Sequence, residues 1–356
     1  WLEDYVFFMS LKDHFKGKPW WQWDEAIKLR EHEALDRYRQ HLQDTMEFYR
    51  FIQFLFYRQW KALKAYANMN DIKIIGDLPL YVAFDSTEAW ANPETFDFDE
   101  KRNPHTVAGV PPDYFSETGQ LWGNPIYNWD YLQATDFQWW VHRVKANFNL
   151  FDMVRIDHFR GLAAYWAVPY GQETAIKGQW VPAPGEQMLE QVYKQLGNLP
   201  IIAEDLGVIT PDVVALRKKF GMPGMKILQF AFDSAEENDF IPHTYDKNCV
   251  VYTGTHDNNT TLGQYLSVEA SDREYMHEYF DLDSEDPAWS FIRLAWSTVA
   301  DMAIAPMQDL LRLEENARMN FPGKASGFWK WRYRKEMLKQ SHAEELLHIT
   351  KLYGRR

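Results

Sequence analysis

Three apolar runs in this sequence each lead to an acid. Phe151-Asp152-Met153-Val154-Arg155-Ile156-Asp157 delivers Asp157 with Arg155 two residues back, and His158, Phe159, Arg160 and Gly161 follow at once. Leu199-Pro200-Ile201-Ile202-Ala203 leads to Glu204, and the run from Cys249 to His256 leads to Asp257. If each run is a buried strand, the period of two places Arg155 and Asp157 on one side of theirs. Three acids, each at the exit of a separate strand, call for a shared reason.

The chemistry that fits them best is glycosyl transfer with retention. One carboxylate attacks the anomeric carbon, and a second, kept protonated by its surroundings, donates to the leaving oxygen and later activates the acceptor. Asp157 suits the nucleophile, because Arg155 beside it favours the charged carboxylate. Glu204 suits the acid/base: its side chain is longer, and neighbouring acids raise its pKa. Asp257 with His256 could grip sugar hydroxyls and stabilise the oxocarbenium-like transition state. A second reading takes Asp77, Asp157-His158, Glu204-Asp205 and His256-Asp257 as ligands of a metal-dependent barrel hydrolase. No His-x-His or His-Glu-x-x-His spacing supports it, and Arg155 is a poor neighbour for a cation. A third reading makes the acids caps of the helices that follow, which suits Asp205 and Asp309 better than the other three.

Elements that would position these groups are legible in the pattern. Residues 1–15 show helical spacing, a charged helical stretch covers about 24–42, and a long amphipathic helix runs from about Thr45 to Ala67. Its stripe of Phe48, Phe51, Ile52, Leu55, Phe56, Leu63, Tyr66 and Ala67 reads as core. A buried strand from Asp71 ends on Gly76-Asp77. The span from about Ala83 to Trp129 has no long periodic element and reads as a functional loop or small subdomain. It contains Gly109-Val110-Pro111-Pro112-Asp113-Tyr114-Phe115-Ser116-Glu117-Thr118-Gly119-Gln120-Leu121-Trp122, whose aromatics and amides suit a carbohydrate lid. Residues 161–186 read as irregular again. Further strands are expected at Met225–Phe232 and Met302–Asp309. Six buried strands alternating with helices call for a parallel sheet. Functional groups at many strand ends favour a barrel, which gathers those ends at one face, over an open sheet with a single switch point.

The totals set bounds. The chain has 356 residues, 38 Lys and Arg against 51 Asp and Glu, and a net charge of −13. That balance argues against nucleic acid or an anionic membrane as the main partner. No apolar run approaches the ~20 residues of a membrane span. Cys249 is the one cysteine, so no intramolecular disulfide forms and a reducing compartment fits. Sixteen tryptophans exceed the needs of a core this size and suit flat apolar sugar faces. The chain starts at Trp1 inside a helical pattern, which reads as a fragment without its own N-terminus.

The motifs Trp-Leu-Glu-Asp-Tyr with Pro-Trp-Trp-Gln-Trp, Ile-Ile-Gly-Asp-Leu-Pro-Leu-Tyr-Val-Ala, Val-Arg-Ile-Asp-His-Phe-Arg-Gly, Ile-Ile-Ala-Glu-Asp-Leu-Gly, Tyr-Thr-Gly-Thr-His-Asp-Asn and Ala-Arg-Met-Asn-Phe-Pro-Gly, together with the aromatic loop above, run along the whole chain. On them the chain resembles the 4-α-glucanotransferases (amylomaltases, or disproportionating enzymes) of glycoside hydrolase family 77. The resemblance implies a (β/α)8 barrel of the α-amylase clan, present here as strands 3 to 8 over residues 71–356. A helical segment over 1–70 leads in, and a loop-rich subdomain is inserted at about 84–135. It implies Asp157 as nucleophile, Glu204 as acid/base and Asp257 as transition-state stabiliser. Arg155, His256, Asp77 and His158 would line the subsite of the transferred sugar. Tyr114, Phe115, Gln120 and Trp122 would wall the acceptor side. The implied reaction moves an α-1,4-glucan segment from starch or a maltooligosaccharide to the 4-hydroxyl of an acceptor such as glucose. No metal or organic cofactor is expected, and the implied setting is bacterial cytoplasm or a plastid. The alternative within the clan is a hydrolase that admits water instead. Two departures stand out: the family's Gly-Tyr-Gly-Asp-Ser-Pro-type motif and first strands are absent, and Gly327-Phe328-Trp329 stands where Gly-Asn-Trp is usual.

Overall fold

The computed structural model describes residues 1–112, 116–233, 238–322 and 326–355. The chain forms two compact units, Trp1–Phe220 and Gly221–Arg356. Residues 1–70, expected as a leading segment, belong to the first unit. The reason is a shared core: Phe7, Phe8 and Leu11 of helix α1 (Leu2–His14) cluster with Trp20, Trp23 and Trp90. Lys12 Nζ bonds Asp85 at 2.6 Å and Trp20 Nε1 donates to the Phe84 carbonyl at 2.6 Å, which fastens that core to the residues beyond the first strand.

Helix α2 (Gln43–Met69) forms as its spacing predicts, but its stripe is not core. Only Met46 and Tyr49 are buried, whereas Phe48, Phe51, Phe56, Leu63 and Tyr66 are 46–65% exposed. Periodicity marks an apolar face without saying what covers it. The helix is held by Met46, Tyr49 and Ile52 at the core of its first turns and by polar ties along its length: Tyr49 to Asp13 at 2.8 Å, Trp60 to the Leu150 carbonyl at 2.9 Å, and Lys64 to Asp152. No helix among the described residues is long and apolar enough to cross a membrane.

The first unit holds strands β1 (Ile75–Pro79), β2 (Thr106–Val110), β3 (Gln120–Pro125), β4 (Met153–Asp157), β5 (Ala164–Pro169), β6 (Gln179–Pro182) and β7 (Ile201–Ala203). The second holds β8 (Gly224–Ile227), β9 (Cys249–Tyr252) and β10 (Met302–Ile304). β1, β4 and β7 form a parallel sheet with β4 in the middle, and β10, β9 and β8 form another with β9 in the middle. Helix α3 (Gln138–Leu150) feeds β4, with Trp140, Val141 and Val144 buried. Along β4, Val154 and Ile156 point into the core, so Arg155 and Asp157 share the opposite face. The register sets Asp77 of β1 directly beside Arg155. β1 approaches the α3–β4 junction so closely that a Cβ on Gly76 would lie 2.0 Å from the Phe151 ring.

Several strands differ from expectation at their ends. β1 runs through Asp77 to Pro79, so Asp77 reaches out from the sheet face rather than from a loop. β8 ends at Ile227 and gives way to a turn of 3-10 helix over Leu228–Phe230. β9 ends at Tyr252, which leaves Asp257 in the following loop. β10 ends at Ile304 before Pro306, which cannot donate to a ladder, and Gln308-Asp309 lie in the helix Met307–Leu310. In β8 and β10 the apolar composition outlasts the hydrogen-bonded ladder. Asp309 is fully buried and accepts from Thr253 Oγ1 at 2.6 Å and from the Thr261 N–H at 2.8 Å. It therefore caps the helix that starts at Thr261.

The two stretches expected as irregular are one structure. β3, β2, β5 and β6 form a four-stranded antiparallel sheet in that order, so the subdomain expected at about 84–135 takes in residues up to Pro182. Its hairpins β2–β3 and β5–β6 are local, but β2 and β5 lie on either side of β4 in sequence, which hides their pairing from any local pattern.

Candidate active site

β4 presents Arg155 and Asp157 side by side. Arg155 Nη2 bonds Asp157 Oδ1 at 2.8 Å, while its Nε and Nη2 grip Asp77 at 3.0 and 2.9 Å in a bidentate pair. The guanidinium is 11% exposed and the two carboxylates are 41–44% exposed, so a shielded cation aims two reachable anions. Burial works against the Arg155 charge, but hydrogen bonding to Asp77 and the charges of Asp157, Asp77 and Glu204 outweigh it and raise its pKa. Arg155 is therefore a permanent counter-charge for Asp157.

Immediately after β4 the chain turns left-handed at His158, with φ +53. This turn points the His158 N–H at Glu204 Oε2, 2.6 Å away, and the Leu206 N–H holds Oε1 at 3.0 Å. Glu204 follows β7, and its backbone continues the ladder by donating to the Ile156 carbonyl at 3.0 Å. Burial first, and the Asp157 charge second, push the Glu204 carboxyl up to about 7; Arg155 and the two backbone donors hold it from rising further. An acid poised there exchanges its proton readily at neutral pH.

The His158 ring is buried, and that burial, with the nearby Arg160 charge, lowers its pKa to about 4, so it is neutral at pH 7. Its Nε2 has no hydrogen-bond partner among the described residues. Trp122 of β3 meets the ring edge-to-face at 4.7 Å, Tyr81 lies 6.2 Å away, and Gln120 accepts from Trp122 Nε1 at 3.2 Å. The antiparallel sheet thus carries Gln120 and Trp122 to the exit of β4. Tyr114 and Phe115 lie outside the described residues.

In the second unit, Asp257 is fixed by residues far along the chain. Asn320 Nδ2 donates to its Oδ1 at 2.6 Å, and Arg318 Nη2 to its carbonyl at 2.7 Å. His256 Nε2 stands 3.4 Å from Asp257 Oδ2, and its ring packs 5.0 Å from that of Trp329. Phe328 packs its ring on Phe321 at 4.9 Å. Sequence reasoning assigned no role to Arg318, Asn320 or Tyr81, although the motifs around each were visible. Asp205, expected as a helix cap, pairs with Arg217 at 2.9 Å, both side chains 12% exposed. Among the described residues no group of three or more His, Cys, Asp or Glu side chains is arranged to hold a metal ion.

Parallel strands that deliver an arginine-clamped aspartate and a glutamate poised near neutrality mark a carbohydrate-active α/β enzyme of the glycoside hydrolase kind. The chain belongs to glycoside hydrolase family 77: residues 1–339 match the family profile described as 4-alpha-glucanotransferase. It is 52% identical over 360 residues to the 4-alpha-glucanotransferase of Synechocystis sp., a match covering 100% of this chain and 71% of the relative. It is 49% identical to that of Thermus thermophilus, covering 97% and 71%. Among solved structures, amylomaltase from Streptococcus agalactiae in complex with acarbose superposes with a TM-score of 0.97 at 42% identity, covering 100% of this chain and 72% of that one. The fold is that of the amylomaltases, the α-amylase-clan barrel class expected from the sequence, and the chain is a 4-α-glucanotransferase acting on α-1,4-glucans.

Proposed function

We propose that the transfer proceeds by double displacement with Asp157 as nucleophile and Glu204 as acid/base. Asp157 attacks C1 of the donor sugar while Glu204 gives its proton to the departing glycosidic oxygen, leaving a glycosyl ester on Asp157. Glu204, now a carboxylate, takes the proton from the 4-hydroxyl of an acceptor. That oxygen attacks C1, and Asp157 departs as a carboxylate. Two inversions retain the α configuration. Asp257 is the transition-state stabiliser, with His256, His158, Asp77 and Arg155 holding sugar hydroxyls and Gln120 and Trp122 on the acceptor side. Maltooligosaccharides serve as donors and glucose as a small acceptor.

The observation that carries this reading is the carboxyl of Glu204 raised to about 7 and held at 2.6 Å by the N–H of His158, the residue that follows the arginine-clamped Asp157. The test is product analysis on maltotriose. Transfer gives free glucose plus chains longer than three sugars, with no net gain of reducing ends. A gain of reducing ends equal to the bonds broken would overturn the assignment in favour of hydrolysis, and β-configured initial products would overturn the double displacement.

A further inference from the structure

Arg160 has no part in the scheme above, yet it is held with care. The residue is only 6% exposed, and its guanidinium lies 3.8 Å over the ring of Trp180 on β6. Its Nη1 donates to the Val208 carbonyl at 2.7 Å, while its Nε has no partner among the described residues. The charge of Asp212 offsets part of the cost of burying this cation, but with one N–H unsatisfied the placement is still costly and asks for a function.

Its position supplies one. Arg160 sits two residues after His158, whose N–H holds Glu204 Oε2. Val208 sits two residues after Leu206, whose N–H holds Glu204 Oε1. The Glu204 carboxyl is thus suspended between two segments, the β4–β5 connection and the loop leading from β7 to helix α4 (Pro211–Lys219). The Arg160–Val208 bond closes those segments on each other just beyond the two donors. Gly207, between Leu206 and Val208, has φ +84 and gives that loop a sharp turn that needs fastening. Trp180 shelves the guanidinium from the antiparallel sheet.

We propose that Arg160 is a positioning residue for glucan transfer: its grip on the Val208 carbonyl keeps the Leu206 N–H on Glu204 and so aims the acid at the departing oxygen. The inference rests on Glu204 being the acid, and the test separates the two. Arg160→Met, Arg160→Lys and Glu204→Gln are compared with the parent enzyme by kcat/KM on two donors, maltotriose and α-maltosyl fluoride. With the fluoride, C1–F breaks and fluoride leaves as an anion, so no proton need be supplied in the glycosylation step that kcat/KM reports.

Arg160→Met is expected to lose roughly tenfold to a hundredfold on maltotriose, part of the ~10²–10⁴-fold a general acid contributes. It should keep the fluoride rate within about threefold, since the Asp157 attack is untouched. Arg160→Lys, which keeps a cation over Trp180 and one donor, should recover part of the maltotriose loss, and it carries the comparison if the methionine variant does not fold. Equal losses on both donors in a folded Arg160 variant, or no loss on either, would overturn the positioning role. Equal losses on both donors in Glu204→Gln would instead overturn the assignment of the acid.

Discussion

Replacing Asp157 by Asn should lower the pKa of Glu204. The substitution keeps the shape and removes the second-largest cause of the rise from 4.5 to about 7, leaving burial and the opposing Arg155 charge. That rise corresponds to about 3 kcal/mol against ionisation. Two carboxylates ~5 Å apart at an effective dielectric of ~20 repel by about 3 kcal/mol, an upper bound because Arg155 sits on Asp157 and offsets part of it. The expected Glu204 pKa in the variant is therefore about 5 to 6. Carbon-13 titration of labelled glutamate, with Glu204→Gln to assign the signal, reads it directly. Stability gives an independent reading. A carboxyl whose folded pKa exceeds its unfolded one favours the folded state fully below about 4.5, and that advantage is lost as pH rises through about 7. The parent should lose up to about 3 kcal/mol over that window and the variant less, so their difference in urea unfolding must drift toward the variant between those pH values. A Glu204 that stays near 7 without its neighbour, or a difference that stays flat, would refute the coupling between the two acids.

Asp77→Ala removes both bonds of the bidentate pair on Arg155, and since Asp77 is 44% exposed the loss of stability should be slight. Catalysis should suffer more, with kcat down roughly tenfold to a hundredfold from a misplaced nucleophile; unchanged kcat would show that Arg155 needs no second anchor. Gly161→Ala would set a Cβ 2.3 Å from Leu80 Cδ2 and 3.0 Å from the His158 ring. Leu80 is 1% exposed with little room to retreat, so a cost of about 1–3 kcal/mol in urea unfolding is expected, and a neutral result would contradict this packing. Excess chelator should leave the rate of maltotriose disproportionation unchanged, because both displacements use carboxylates; a loss reversed by a divalent cation would reopen the metal-dependent reading.

Much of this was open to reading because the groups of the first unit's site are local in sequence to the ends of strands. The period of two places Arg155 and Asp157 on one face of β4, and the pair is there at 2.8 Å. What lay beyond reach came in two kinds. Pairings across long separations left no local trace: β2 joins β5 only after the chain has passed through β4, and Asn320 reaches back to Asp257 from 63 residues away. Environment was also hidden. The sequence shows that Glu204 has acidic neighbours, but burial is the larger cause of its shift, and burial belongs to the fold. The exposed face of α2 is the same lesson with the sign reversed: its spacing shows an apolar stripe, and only the fold shows that part of that stripe faces solvent. Arg160 joins both kinds. It stands in the most legible motif of the chain, yet its partners are a carbonyl 48 residues on and a tryptophan of the antiparallel sheet. A residue type can announce catalysis when it meets the substrate itself; one that works by holding another group in place becomes visible only when the distances are known.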